Sequence, residues 1–66
     1  MAKNKKLEGK TAIVTGGAQG LGEAISFRLA EEGCDVIIAD INEEGINETV
    51  ARIRRYTNQK SLGIIT

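Results

Sequence analysis

The chain has 66 residues, less than half of a typical domain of ~100–150, so it has room for one small domain at most. Nine Lys and Arg balance nine Asp and Glu to a formal net charge of zero, which excludes long-range attraction to nucleic acid or to an acidic membrane surface. With no His and one Cys, the usual transition-metal ligand sets and any intrachain disulfide are excluded, and a reducing compartment, most simply the cytoplasm, is expected.

The opening Met1-Ala2-Lys3-Asn4-Lys5-Lys6 is basic. No apolar stretch follows it as a secretory signal requires, so residues 1–6 read as a disordered tail. Thr11-Ala12-Ile13-Val14-Thr15 is a β-branched apolar run ending in glycines, the pattern of a buried strand. The period then turns helical over residues 21–32. Leu21, Ala24, Ile25 and Leu29 fall on one face as the expected buried stripe. Gly33 suits a left-handed helix end.

Val36-Ile37-Ile38-Ala39 is continuously apolar, as in a strand of a parallel sheet covered on both faces. Asn42 suits a helix cap, with Glu43 and Glu44 near the positive end of that helix and Arg52, Arg54 and Arg55 near its negative end. Ile46, Val50 and Ile53 at i, i+4 and i+7 form its buried stripe. Residues 56–60 are polar and read as a loop, and Leu62-Gly63-Ile64-Ile65-Thr66 reads as a third strand. No apolar run approaches the ~20 residues of a membrane span.

The order strand, helix, strand, helix, strand with short connections specifies an α/β fold. It is a Rossmann-like βαβαβ unit, one mononucleotide-binding half of a doubly wound parallel sheet. The whole chain, residues 1–66, is expected to be the N-terminal part of a single dinucleotide-binding domain.

The chemistry is concentrated between the first strand and the first helix, in Thr15-Gly16-Gly17-Ala18-Gln19-Gly20-Leu21-Gly22. Gly16 allows a sharp turn out of the strand. Gly20 lets a pyrophosphate approach the backbone, and Gly22 lets the helix pack closely on the sheet. Amides at the helix start then face the phosphates at the positive end of the helix dipole. Asp40 closes the second strand about 20 residues further on, where an acid accepts hydrogen bonds from the adenosine ribose hydroxyls. Its competing role is to help cap the helix that begins near Asn42. A carboxylate there repels a 2′-phosphate, which favours NAD over NADP.

These residues resemble the opening of a short-chain dehydrogenase/reductase. The resemblance rests on the T-G-x-x-x-G-x-G turn of Thr15, Gly16, Gly20 and Gly22, and runs from about Leu7 to the end. It implies a Rossmann-like domain and hydride transfer between a nicotinamide and an alcohol or carbonyl carbon, with Leu21 against the cofactor. Members that prefer NADP tend to carry a basic residue just before the second motif glycine or just after the second strand. Those places hold Gln19 and Ile41 here, in keeping with NAD. The resemblance also implies that the catalytic Asn, Ser, Tyr and Lys lie beyond Thr66, so the chain is expected to be an N-terminal fragment of a homo-oligomeric parent. The parent's substrate is expected to be a small alcohol or ketone, for instance a polyol or sugar alcohol. The rival function is a stand-alone, non-catalytic nucleotide-binding module, distinguished by whether the reading frame continues past Thr66.

Tyr56-Thr57-Asn58-Gln59-Lys60 spells Y-x-x-x-K, the family's catalytic signature. Here it falls at the frayed end of the second helix, on the adenosine side, and is read as helix-end polar residues. No residue of the chain is therefore assigned a catalytic role, and no metal is expected. Cys34 is read as a small packed hydrophobe. Phe27 and Tyr56, the only aromatics, are too few for a base-stacking surface.

Overall fold

The structure is a computed structural model that describes residues 6–66. Of the basic tail, all but Lys6 lies outside the described residues. The elements are β1 (Thr11–Thr15), α1 (Gly20–Glu31), β2 (Asp35–Asp40), α2 (Glu43–Thr57) and β3 (Ser61–Ile65). All pairing is parallel in the order β1-β2-β3, with Thr11 beside Asp35, and Val36 beside Ser61. This is the βαβαβ arrangement that the sequence specifies.

Local chemistry sets the boundaries. Gly33, at φ +101, carries the chain out of α1. Asn42 caps α2: its Oδ1 accepts from the Gly45 N–H at 3.1 Å. The helix runs to Thr57, past the point where the sequence reads as loop, and β3 begins at Ser61. Side-chain closure explains the extra residues. Thr57 Oγ1 donates to the Ile53 carbonyl at 2.6 Å and accepts from the Gln59 N–H. The Arg54 guanidinium donates twice to the Ser61 carbonyl. Asn58, at φ +61, then breaks the helix.

Val36 and Ile38 of β2 meet Ile46, Val50 and Ile53 of α2 in the core, together with Ala18, Ala30 and Cys34. The α2 stripe is the expected one. Burial pushes the Cys34 thiol up from its ordinary pKa, as befits a packed, unreactive sulfur.

Both helices lie against the same face of the sheet. Rows Ala12–Val36–Ser61 and Val14–Ile38–Gly63 face the helices, and rows Ile13–Ile37–Leu62 and Thr15–Ala39–Ile64 face away. On that far face Ile13 is 67% exposed, and Leu62 and Ile64 are exposed as well. The expectations of a buried first strand and of a second strand covered on both faces are therefore corrected: β1 is an edge strand, and the helices cover one face only of both.

The expected face of α1 is also corrected. Leu21, Ala24 and Ile25 are exposed, and the buried residues are Ser26 and Ala30, with Phe27 and Leu29 partly covered. Small residues let α1 sit close to the sheet. The Ser26 hydroxyl is satisfied within the helix, donating to the Gly22 carbonyl at 2.8 Å.

Candidate cofactor site

The site starts where β1 and β2 end side by side, with Thr15 opposite Ala39. The Gly16 N–H donates to the Ala39 carbonyl at 2.7 Å and ties the turn to β2. Gly16 and Gly20 have φ of +69 and +47, and a Cβ on either would meet nothing within 4 Å. The space above both is open. Gly22 is different. A Cβ there would strike the Gly16 carbonyl and approach Gly17 Cα at 3.1 Å. The close approach that requires this glycine is to the turn itself, rather than to the sheet as the sequence reading has it.

Helix α1 starts at Gly20. Its cap residue Gln19 is extended (φ −141, ψ 144) and its side chain caps no amide. The Glu23 N–H already reaches the Gln19 carbonyl at 3.2 Å. The amides of Gly20, Leu21 and Gly22 precede that first helical bond and have no acceptor within the helix. They stand at the positive end of its dipole beside the open space, an arrangement that suits an anion. Leu21, 78% exposed, projects at the same place. Glu23 is the one acid in this first turn, and Arg52 of α2 balances it across the helices at 2.7 Å.

Asp40 ends β2 and is only 7% exposed. Its Oδ2 accepts from the Ala18 N–H at 3.2 Å and its Oδ1 from the Asn42 N–H at 3.1 Å. These amides, Asn42 first, hold its carboxyl below the usual carboxylate pKa against the opposing effect of burial. The start of α2 seats on the same residue from its other side: a Cβ at Gly45 would lie 3.1 Å from the Ala18 carbonyl. Ile41 follows, exposed. The structure therefore gathers Thr15, Gly16, Gln19, Gly20, Leu21, Gly22, Asp40 and Ile41 at the C-terminal ends of β1 and β2. Sequence reasoning missed Gly17, whose Cβ would press on the Val14 carbonyl at 2.9 Å. It also missed the backbone amides of Ala18 and Asn42, which no side-chain type announces.

The family model described as short chain dehydrogenase matches residues 10–65. The chain belongs to the short-chain dehydrogenase family. It is 55% identical over 49 residues to 2,5-dichloro-2,5-cyclohexadiene-1,4-diol dehydrogenase LinX of Sphingobium indicum, covering 74% of this chain and 20% of that protein. NAD+-bound xylitol dehydrogenase is similar at 32% identity and TM-score 0.87, over 91% of this chain and 23% of that one. L-Sorbose reductase from Gluconobacter frateurii, complexed with NADPH and L-sorbose, shares the fold at TM-score 0.89 and 22% identity, over 96% of this chain and 24% of its own. The chain thus spans about a fifth of the length of the curated relatives it first matches.

Short-chain dehydrogenases use nicotinamide cofactors, and the residues here fit the adenosine end of one. The turn leaves open space over Gly16 and Gly20, uncapped amides at the start of α1, and an acid at the end of β2.

The Y-x-x-x-K of this short-chain dehydrogenase chain fits no such role. Tyr56 lies in the last turn of α2, its ring 6.4 Å from that of Phe27 and beside the Arg55 guanidinium. Asn58 breaks the helix before Lys60, whose N–H donates to Asp35 Oδ1 at the start of β2. The two side chains do not share a helical face, and they sit toward the N-terminal ends of the strands. A shallow cleft of about 190 Å³ between Thr11, Ile37, Lys60 and Leu62 lies at that same end, away from the glycine turn. Among the described residues no helix is long and apolar enough to cross a membrane.

Proposed function

We propose that this chain binds the adenosine and pyrophosphate half of NAD, as the cofactor-binding part of a short-chain dehydrogenase acting on a small alcohol or ketone. The observation that carries the reading is the cradle formed by open Gly16 and Gly20 with the uncapped amides of residues 20–22, beside Asp40. The amides take the pyrophosphate, and Leu21 and Ile41 give the cofactor apolar contact at the rim. Asp40 takes the ribose hydroxyls. When bound, the cofactor supplies hydride chemistry at its nicotinamide, while this chain's residues hold its adenosine and pyrophosphate half.

NAD is favoured over NADP by charge. Asp40 is ionised at neutral pH, since its pKa is lowered, and neither Gln19 nor Ile41 offers a cation to a 2′-phosphate. A polyol or sugar alcohol as the parent's substrate is supported by the likeness to xylitol dehydrogenase and to a diol dehydrogenase. The parent is read as a cytoplasmic homo-oligomer.

Titration calorimetry with NAD and NADP tests the cofactor reading. NAD is expected to bind more tightly, and the 20–22 amides to shift in an NMR titration. Tighter binding of NADP would overturn the assignment of Asp40, and silence at residues 20–22 would remove the phosphate role.

A further inference from the structure

Asp40 does something besides facing a ribose. Its two carboxylate oxygens are each taken by a different backbone turn: Oδ2 by the Ala18 N–H of the glycine turn, Oδ1 by the Asn42 N–H at the entry to α2. Ala18, whose N–H it grips, is also the residue against whose carbonyl Gly45 of α2 rests, and it immediately precedes the Gln19 cap of α1.

We infer that Asp40 is a positioning residue that latches the two βα turns together, and so sets the amides of residues 20–22 in place before any nucleotide arrives. The inference rests on the proposed phosphate role of those amides. It adds that the acid governs the phosphate end of the cofactor as well as the ribose end.

Asparagine is the informative replacement. Its single oxygen can accept from only one of the two amides, and its NH₂ group faces the other as donor against donor. Two simple pictures then differ in sign for a ligand that has no ribose. If Asp40 only binds ribose, removing its charge leaves inorganic pyrophosphate bound as before, or more tightly as repulsion falls. If Asp40 is the latch, pyrophosphate binds more weakly.

The test compares the intact protein with Asp40→Asn, measuring amide hydrogen exchange without ligand and then titrating inorganic pyrophosphate. The Ile38 amide of the central strand reports on the fold as a whole. The latch predicts about tenfold faster exchange at Ala18, an unchanged Ile38, and pyrophosphate affinity lower by about tenfold. Unchanged or tighter pyrophosphate binding overturns it. Should the Ile38 protection also be lost, Asp40→Glu decides, because it keeps the charge and both oxygens one methylene further out. Its pyrophosphate affinity must then follow its Ala18 protection, whether both are kept or both fall; a mismatch in either direction overturns the latch. The wild-type protein titrated with NAD judges the function separately. If residues 20–22 ignore both NAD and pyrophosphate, the proposed function and the latch's effect on binding fall together, whereas a response to both in wild type leaves the variants to judge the latch alone.

Discussion

At Gly20 the backbone is left-handed and the space beyond is empty, so a side chain there strains the turn and fills the place proposed for phosphate. A non-glycine residue at such a φ costs on the order of 1–2 kcal/mol. Gly20→Val is expected to lower NAD affinity well over tenfold while the fold loses only about that much stability. Gly22→Ala is expected to behave in the opposite order, losing about 1–3 kcal/mol of stability as the Cβ displaces the Gly16 carbonyl. Calorimetric titration and thermal melting of both variants separate the two cases; unchanged NAD affinity in Gly20→Val would count against the phosphate role. For Asp40 the lowered pKa fixes a sign. Its folded form binds the proton less readily than its unfolded form, so its contribution is complete above the ordinary carboxylate value of ~3.9 and is lost as pH falls through the lowered value. Acid melts of the wild type should show that loss, and Asp40→Asn should not. In a complete parent enzyme, Asp40→Ala with Ile41→Arg is expected to shift the NAD/NADP preference toward NADP. Because the carboxylate also grips Ala18 and Asn42, the sum of the two affinities should fall. A parent that prefers NADP before any change would refute the assignment.

Among the elements, α2 was legible in the sequence and α1 was not. The α2 stripe of Ile46, Val50 and Ile53 is large and apolar on an otherwise charged helix, so periodicity alone finds its buried side. On α1, periodicity finds Leu21 and Ile25, but the buried side is made by Ser26 and Ala30, with Gly22 against the turn. Small residues carry almost no hydrophobic signal, yet they decide how closely a helix can approach. The strands and their parallel pairing followed from the apolar runs and the alternation with helices, while the one-sided cover of β1 and β2 depends on which face the helices take, which no residue of either strand records. The glycines and Asp40 of the candidate site stand out in the sequence because glycines and an acid at that fixed spacing have few other uses there. Their amide partners at Ala18 and Asn42 do not, since every residue but proline carries the same donor. Thr49 supplies a prediction at this scale. It is 2% exposed on the inner side of α2, and its Oγ1 has no hydrogen-bond partner among the described residues. Thr49→Val replaces that hydroxyl with a methyl of similar size and is expected to raise stability by up to about 1 kcal/mol. A lower thermal midpoint in the variant would mean that the hydroxyl has found a partner in solution.

For the molecule as a whole the far side of the sheet dominates. Ile13, Leu62 and Ile64 lie bare on one face, and β1 and β3 are both open edges. A chain of this length buries only about 60% of its unfolded surface, which leaves little to offset chain entropy. The isolated 66-residue chain is therefore expected to melt broadly at low temperature, to associate as its concentration rises, and to turn over no alcohol. Sedimentation at two concentrations checks the association, which the pair Ile13→Lys and Leu62→Lys should suppress without touching the rows beneath the helices. A sharp, concentration-independent transition would contradict the marginal core. Turnover abolished by Tyr56→Phe would reinstate the Y-x-x-x-K motif.

The hydrogen bond from Ala18 to Asp40 spans 22 residues, and the gathered site runs only from Thr15 to Ile41. Closing so short a loop is inexpensive in entropy, and contacts of such short range form early in folding. On the ribosome, the nascent chain exposes every residue of the nucleotide cradle before it exposes β3. Contacts across the proposed cradle are thus available to the chain before the strand that completes this half of the sheet, and that strand then supplies the cover that holds them.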